Sequence, residues 1–310
     1  MIGIIILIYI IYSLDFEEIK NAFLSIKPIF IAISLLLTIP RLLLRNYVWQ
    51  IIIKEQKIKL SFLKSMKILL IGYFYGSITP GYIGRMARII YVKDKTDDPY
   101  GKLFVNTFIE TIVNTLSLYI MLVIGAFFII EQIPIIFNAV VIWVIFSAVT
   151  LLYLVNKDRG ERLFFTLIKY LIPKKSKINI NKFVETFYKD FPNLKKLIIP
   201  VFIGLSSWII MFSQYYILVI ALEVEIPYEY FIFLFPVANV ISFIPITFAG
   251  LGTRELSAIF IFSTLFGAPH EKIFVVSLLG FIITDVITGF YGFFLSLTES
   301  RDLKKIVKKQ

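Results

Sequence analysis

The sequence predicts an all-α polytopic membrane protein. We expect about six full transmembrane helices, two re-entrant broken-helix hairpins in an inverted-topology arrangement, and short interfacial helices. Of the 310 residues, 58% are apolar and only 17% are charged, whereas soluble domains are about 45–50% apolar and about 25% charged. The apolar residues also fall in runs close to the roughly 20 residues that a helix needs to cross the hydrocarbon layer. The whole chain, residues 1–310, is predicted to be a single integral membrane domain.

Six apolar runs predict the full spans. They are residues 1–14, 28–53, 103–130, 135–155, 197–222 and 273–297. The first run is short, and it has neither a basic flank before it nor a small-residue cleavage site after it. We therefore interpret it as a retained span rather than a signal peptide. Residues 15–27 place apolar side chains at helical spacing between charges, which is typical of a helix lying in the membrane interface.

Composition divides the chain into two halves joined by a basic loop. Residues 1–155 form the first half, residues 156–196 a cytoplasmic loop with 11 basic residues, and residues 197–310 the second half. Each half contains one long apolar segment that glycine and proline interrupt, near residues 61–91 and 230–266. Neither segment can be one straight helix, because proline removes a backbone hydrogen bond and clashes with the preceding turn. We expect each to form a re-entrant hairpin.

The two interruptions share a spacing of proline, glycine and arginine. The shared residues are Pro80, Gly84 and Arg88 in the first segment and Pro245, Gly250 and Arg254 in the second. Interrupted segments at corresponding places in two halves indicate a transporter's binding site near the bilayer midplane. A half-helix that begins there directs free N–H groups and a positive dipole inward, which suits an anion such as phosphate.

The distribution of basic residues predicts the orientation. If both broken segments return to the side they entered from, 26 of the 32 basic residues face the cytoplasm, three face outside and three lie at membrane depth. The positive-inside rule favours this arrangement, which places both termini in the cytoplasm of a multi-pass protein of the cell membrane. The net charge of +11 then reflects orientation and attraction to anionic lipid. No nucleic-acid partner is predicted.

Charged side chains at membrane depth are the candidate functional residues, because each costs at least about 2.5–3.5 kcal/mol to insert. Arg41 and Arg45 are four residues apart and share a helix face. Two guanidinium groups on one face can grip a phosphodiester or a pyrophosphate. Glu110, Glu255 and Asp285 are predicted either to pair with arginines or to carry protons. A purely structural network of ion pairs explains the same residues and stays open.

The predicted binding site for an anionic headgroup combines the interruptions with these arginines. Its residues are Arg41, Arg45, Pro80, Gly84, Arg85, Arg88, Pro245, Gly250, Gly252 and Arg254. The chain has no cysteine and a single histidine, which excludes thiolate chemistry, Cys/His zinc sites and multi-histidine metal clusters. No catalytic residue, cofactor or metal is predicted.

These residues resemble a known family. The motifs are Arg41-x3-Arg45 with Trp49, Gly76-x3-Pro80-x3-Gly84-x3-Arg88, Glu110, and Pro245-x4-Gly250-x-Gly252-x-Arg254-Glu255. Over nearly the whole chain they are similar to the transmembrane region of lysylphosphatidylglycerol synthases. This flippase-like family also occurs as stand-alone membrane proteins and fused to glycosyltransferases. The resemblance implies movement of an anionic or aminoacylated lipid between leaflets, through two opposed re-entrant hairpins.

The chain departs from the family pattern in its first half. Gly76 stands where the family usually has asparagine, and Gly84-Arg85 stands where it has Gly-Glu. The family's Glu-Arg-x-x-Asp becomes a run that begins at Glu110 and ends at Asn114. The first half-site therefore loses acids and gains a cation, which disfavours a proton-coupling role there.

The first functional hypothesis is a lipid translocator that moves an anionic or lipid-linked phosphate headgroup through a polar groove between the two hairpins. Its lipid partner would be an anionic phospholipid or a polyprenyl phosphate. One alternative is an integral membrane enzyme that acts on a lipid-linked phosphate, with Glu255 or Asp285 as general base. Another is a non-transporting membrane partner of a separate glycosyl- or aminoacyl-transferase.

Overall fold

The computed structural model describes residues 2–156, 160–163, 165–166, 180–241 and 247–307, and this part of the chain is helical apart from turns and one isolated β-bridge. Its α-helices with defined bounds are α1 (Ile2–Ser13), α2 (Phe16–Ser25), α3 (Pro28–Leu36), α4 (Thr38–Glu55), α5 (Phe62–Ser77), α6 (Arg88–Lys95), α7 (Tyr100–Phe128), α8 (Pro134–Val155), α9 (Ile180–Asp190), α10 (Ile198–Ala221), α11 (Tyr228–Val240), α12 (Thr253–Phe266), α13 (His270–Phe281) and α14 (Ile287–Val307). The 3-10 turns Ile83–Ala87 and Leu194–Leu197 precede α6 and α10, and the π turn Ile282–Val286 joins α13 to α14.

Five helical segments of the described chain are long and apolar enough to cross a membrane. They are Pro28–Glu55, Tyr100–Phe128, Pro134–Val155, Leu194–Ala221 and His270–Glu299. These segments confirm the prediction of an all-helical, multi-pass membrane protein. Residues 157–159, 164 and 167–179 of the basic loop predicted at residues 156–196 lie outside the described residues, and α9 belongs to the described part.

The predicted first span is a shorter helix than the others. Helix α1 has 12 residues, about 18 Å at 1.5 Å per residue, against a hydrocarbon layer of roughly 30 Å. It packs against α12. A Cβ on Gly3 would come within 2.6 Å of the Leu251 carbonyl oxygen, so the helix approaches the second interruption closely. Helix α2, predicted within residues 15–27, is present and packs on α13.

The hydrophobic core lies where α10, α11, α12 and α13 pack together. Five fully buried aromatic side chains fill it, and they are Phe212, Tyr215, Phe231, Phe235 and Phe262. Their ring centroids lie 4.6 to 6.2 Å apart in the close pairs that involve Phe235. These aromatic side chains pack together between the helices that flank the interrupted segment of the second half.

The first interrupted segment folds back on itself. Helix α5 ends at Ser77, and after a turn and the 3-10 turn the chain continues as α6, which packs against α5. Gly81 and Tyr82 both have positive φ, at 58° and 57°. Thr79 stabilises the turn, because its hydroxyl accepts a hydrogen bond from the Gly84 backbone N–H at 2.8 Å. A Cβ on Gly84 would overlap the carbonyl oxygen of Tyr75, so only glycine fits there.

The second interrupted segment has the same kind of turn. Helix α11 ends at Val240, residues 242–246 lie outside the described residues, and α12 begins at Thr253 and packs against α11. Ala249 and Gly250 repeat the paired positive φ of the first turn, at 47° and 79°. Gly252 follows with a φ of 85°.

The two interruptions contact each other. Pro80 and Phe248 form an isolated antiparallel bridge, although they lie in opposite halves of the sequence. The Tyr82 hydroxyl donates a hydrogen bond to the Ala249 carbonyl oxygen at 3.3 Å. The two segments that share the proline, glycine and arginine spacing therefore form two turns that are in contact with each other.

Helix α14 packs closely against α5. A Cβ on Gly292 would overlap the Leu70 carbonyl oxygen, and one on Gly289 would lie 3.0 Å from the Ser77 hydroxyl oxygen. Small residues allow helix backbones to approach in this way within membranes. At the end of α6, Lys95 forms an ion pair with Glu299 of α14 at 2.9 Å. The hydrogen bond between them raises the pKa of Lys95 above its usual value.

Candidate functional site

A polar cavity lies between α4, α5, α10 and the π turn, beside the first interruption. Its charged and aromatic lining consists of Arg41, Arg45, Arg85, Asp285, Tyr73, Tyr82 and Trp208, and its volume is about 20 Å³. A second cavity of about 220 Å³ adjoins it. The residues common to both are Arg45, Tyr82, Arg85 and Trp208. We call the two volumes together the arginine cavity.

Arg41 reaches the cavity from α4 and is almost completely buried. Its Nη2 atom donates to the backbone carbonyl oxygen of Thr284 at 2.7 Å. Thr284 belongs to the π turn, and widened turns of this kind are frequent at functional sites. The Nε atom of Arg41 is buried and has no hydrogen-bond partner among the described residues.

Arg45 lies one turn further along α4 and is also buried. Its Nη2 atom is 3.6 Å from Glu110 Oε1, and its guanidinium carbon is 5.7 Å from the ring centroid of Trp208. The Nε atom again has no partner in the described part of the chain. The predicted pair of arginines on one helix face therefore lines a single cavity, and each of the two has a buried Nε atom without a hydrogen-bond partner among the described residues.

Arg85 enters the cavity from the 3-10 turn of the first interruption. Its guanidinium carbon is 4.3 Å from the Tyr82 ring centroid and 5.3 Å from that of Tyr73. The Arg85 Nη2 atom is 4.0 Å from Asp285 Oδ1, at the limit of an ion pair. Its Nε atom is the third buried guanidinium nitrogen without a partner in the described chain.

Gly76 makes room for the Arg85 side chain. A Cβ at position 76 would lie 2.8 Å from Arg85 Cγ and 3.1 Å from Arg85 Nε. The two departures from the family pattern at positions 76 and 85 are therefore in direct contact. A side chain on residue 76 would push the guanidinium of Arg85 away from its present place.

Arg88 and Glu110 form a buried ion pair behind the cavity. Arg88 Nη2 donates to Glu110 Oε2 at 2.6 Å, and its guanidinium carbon lies 4.9 Å from the Trp49 ring centroid. Asn114 donates to the other carboxylate oxygen of Glu110. Gly72 allows the close approach, because a Cβ there would be 2.6 Å from Arg88 Cδ. Arg88 is thus paired and lies outside the cavity lining.

Arg254 and Glu255 form the corresponding buried pair at the second interruption. Both Nε and Nη2 of Arg254 donate to Glu255 Oε1, and Ser277 also donates to that oxygen at 3.2 Å. Glu255 Oε2 accepts the backbone N–H of Gly252 at 2.6 Å, so the side chain of the third residue of α12 caps the start of that helix. Glu255 therefore satisfies one of the free N–H groups that the sequence assigned to an anionic ligand.

The structure brings many of the predicted site residues into one region but gives them different surroundings. The cavity lining includes Arg41, Arg45, Arg85, Glu110 and Asp285. Pro80, Gly84, Gly250 and Gly252 shape the turns, and Arg88, Arg254 and Glu255 are paired beside them. Pro245 lies outside the described residues.

The sequence did not predict the aromatic residues of the cavity, its α10 residues or Asn239 of α11. They are Tyr73, Tyr82, Ser207, Trp208, Met211 and Asn239. A usable signal existed in α10, where Ser207 and Met211 are four residues apart and share a helix face with the nearby Trp208. Nothing in the sequence indicated that this face meets Arg45 rather than lipid.

An apolar groove borders the arginine cavity. The groove is about 640 Å³ in volume and runs between α7 and α8, with lining residues such as Leu116, Ile120 and Val144. Thr111 and Thr115 belong to both the groove and the cavity lining. Thr111 is exposed and Thr115 half-buried, so a polar chamber and an apolar surface meet at these two side chains.

Comparisons with known proteins match most of the chain. The family described as the lysylphosphatidylglycerol synthase TM region matches residues 1–292 of the chain. A UPF0104 membrane protein of Methanothermobacter thermautotrophicus is 22% identical over 263 residues, which cover 77% of this chain and 75% of that protein.

Proposed function

Because the chain belongs to the family of lysylphosphatidylglycerol synthase transmembrane regions, we propose that it moves a lipid with an anionic, phosphate-containing headgroup between membrane leaflets. The observation that carries the proposal is the arginine cavity. Three of its arginines have a buried Nε atom without a hydrogen-bond partner among the described residues. A guanidinium group offers planar, charge-assisted donors that match the oxygens of phosphate.

The apolar groove beside the cavity supports a lipid as the ligand. Thr111 and Thr115 lie at the border between the two. A headgroup held at Arg45 and Arg85 would leave its hydrocarbon chains on the side of these threonines, along α7 and α8. The tails then stay in an apolar environment while the headgroup occupies a polar one, so neither part is moved into an unfavourable medium.

In this proposal the two interrupted segments are re-entrant hairpins that enter from opposite faces of the membrane. Their paired positive-φ turns and the bridge between Pro80 and Phe248 support a common internal design. Irregular backbone at membrane depth is tolerated where it lines a cavity. Alternating exposure of the arginine cavity to the two leaflets would move the headgroup, as in transporters built from inverted repeats.

The remaining charged residues are assigned to holding the hairpins in place. Arg88 with Glu110 and Arg254 with Glu255 form the two pairs beside the interruptions. Asp285 faces Arg85 at 4.0 Å and would release it when a more strongly negative phosphate arrives. The donors offered to the headgroup are thus guanidinium groups, while the start of α12 is capped by the protein itself.

The proposal places the protein in the cell membrane, with both termini and the basic loop at residues 156–196 in the cytoplasm. Its two halves, residues 1–155 and 197–310, each contribute one hairpin. The asymmetric distribution of basic residues supports this orientation. A separate glycosyl- or aminoacyl-transferase would supply or use the lipid at the cytoplasmic side.

A reconstitution experiment tests the proposal. Purified protein is placed in liposomes with a fluorescent anionic phospholipid or polyprenyl phosphate, and headgroup exposure is followed with a membrane-impermeant quencher. We expect Arg45→Ala to slow movement about 10- to 100-fold, because it removes a charge-assisted interaction of about 1.5–3 kcal/mol. Lys64→Ala is the matched control, because Lys64 is an exposed cation on α5 outside the cavity.

The chemical state of the lipid separates the rival functions. Movement without covalent change supports the translocator, whereas a modified headgroup supports the membrane enzyme. If no anionic lipid moves faster than in empty liposomes and none is modified, both ideas fail and the role of a non-transporting transferase partner is favoured.

A further inference from the structure

The charges that line and flank the two interruptions do not balance. Five arginines meet three carboxylates in this part of the described chain, which leaves an excess of two positive charges. The arginines are Arg41, Arg45, Arg85, Arg88 and Arg254, and the carboxylates are Glu110, Glu255 and Asp285. Arginine stays protonated in proteins, so the excess cannot be removed by loss of a proton.

The excess positive charge is concentrated in the arginine cavity. Glu255 is bonded to Arg254, and the closest ion pair of Glu110 is with Arg88, so neither is free to neutralise a second arginine fully. Apart from the 3.6 Å contact between Arg45 and Glu110, the three cavity arginines have Asp285, which is 4.0 Å from Arg85. Buried charges without a partner are costly. The cavity is therefore suited to an anion that brings more than one negative charge.

Arg85 is held so that it adds to this excess. Gly76 leaves space for its side chain, and the rings of Tyr73 and Tyr82 flank its guanidinium at 5.3 and 4.3 Å. These contacts fix the third guanidinium opposite the pair on α4. The cavity then holds three guanidinium groups, as many as the free oxygens of a terminal phosphate.

We propose that the arginine cavity selects lipids whose headgroup is a terminal phosphomonoester over lipids whose phosphate is a diester. A phosphomonoester carries a charge of about −1.5 to −2 near neutral pH and exposes three acceptor oxygens. A phosphodiester carries a single charge and exposes two free oxygens. This inference rests on the proposed function, since it names the class of headgroup that the same site would take.

Equilibrium binding tests the selection without requiring transport. Dioleoyl phosphatidate, dioleoyl phosphatidylglycerol and inorganic phosphate are each titrated into the purified protein in detergent, and the tryptophan fluorescence is recorded, because Trp208 lines the cavity. We expect phosphatidate to bind at least about 10-fold more tightly than phosphatidylglycerol, because it adds one charge-assisted contact. Equal dissociation constants for the two lipids would overturn the inference.

Inorganic phosphate distinguishes a lipid site from a site for free phosphate. It offers the same oxygens but has no chain to place in the groove beside Thr111 and Thr115. We expect it to compete with phosphatidate only at much higher concentration. If it binds as tightly as phosphatidate, the selected ligand is a free phosphate and the inference of lipid selection fails.

Two variants show whether Arg85 sets the preference. Arg85→Gln should reduce the ratio of the two dissociation constants to near one. Gly76→Ala should lower the ratio in the same direction, since its Cβ would displace the Arg85 side chain, and it should add nothing in the Arg85→Gln background. Lys64→Gln removes an exposed charge on α5 and should leave the ratio unchanged. Melting temperatures of all variants identify any that are misfolded.

The outcomes separate this inference from the proposed function. Preferential binding of phosphatidate with no lipid movement in liposomes would support the selection and overturn the translocator. Movement of both lipids with equal binding would overturn the selection and leave the translocator standing. If Lys64→Gln lowers the ratio as much as Arg85→Gln does, general surface charge causes the preference and the cavity does not.

Discussion

At the residue scale, Glu110 holds together the first half of the site. Its two carboxylate oxygens face Arg88 at 2.6 Å, Arg45 at 3.6 Å and the side chain of Asn114. All of these groups are buried. Removing one partner from a buried charge pair leaves the other charge uncompensated, which costs more than the pair itself contributes.

We predict that Glu110→Gln destabilises the protein strongly. The amide keeps the shape of the side chain but no longer neutralises Arg88, so the free energy of unfolding should fall by about 3–5 kcal/mol. The measurement is denaturant unfolding in detergent, with Glu131→Gln, at an exposed position, as the matched control. Equal stability of the two variants would show that Glu110 does not hold this network.

The sequence predicted which arginines belong to the site better than it predicted what each one does. Arg41 and Arg45 follow from helical spacing, and both line the cavity. The sequence could not show which of Arg85 and Arg88 lines the cavity, because the directions of their side chains depend on a 3-10 turn that precedes α6. In that turn Arg85 faces the cavity, while Arg88 starts the next helix and meets Glu110. The helix propensities of the individual residues do not reveal this change from a 3-10 turn to an α-helix.

At the element scale, helix boundaries were predicted well where apolar runs are long. Residues 103–130 and 135–155 were predicted, and the helices are Tyr100–Phe128 and Pro134–Val155. The contact between the two interruptions could not be foreseen, since Pro80 and Phe248 meet only through tertiary packing. The close approach of α1 to α12 could not be foreseen either, because it depends on Gly3 and Gly252, which are far apart in the sequence.

Gly252, the residue before α12, allows a test of the close approach of α1 to α12. Gly252 has a φ of 85°, and a Cβ there would lie 2.5 Å from the Gly3 carbonyl oxygen. Gly267 also has positive φ, at 61°, but a Cβ would meet nothing within 4 Å. We predict that Gly252→Ala lowers the melting temperature clearly more than Gly267→Ala does, because only the first displaces α1. Equal shifts would mean that backbone conformation alone accounts for the cost.

At the scale of the whole molecule, the proposed orientation follows from charge rather than from packing. Only a few cations are assigned to the outer face, and the loop near Glu223 and Glu225, which this orientation places outside, has acidic residues and no Lys or Arg. The helical packing would be the same in either orientation. The orientation therefore needs a test of its own.

Cysteine labelling supplies that test, because the chain contains no native cysteine. Asp97 and Glu225 are both exposed. We predict that a membrane-impermeant maleimide labels Glu225→Cys in intact cells but labels Asp97→Cys only after the cells are made permeable, because the proposed orientation places the basic loops in the cytoplasm. Labelling of Asp97→Cys in intact cells would contradict a first segment that returns to its own side.

The packing of α14 on α5 has a mechanical consequence. With Gly289 and Gly292 facing α5, the two backbones lie too close for one helix to slide past the other, and the ion pair between Lys95 and Glu299 fastens α6 to the same helix. We therefore expect α5, α6 and α14 to move together as one unit. A displacement of the end of α14 would then move the turn that carries Arg85 without displacing the aromatic core.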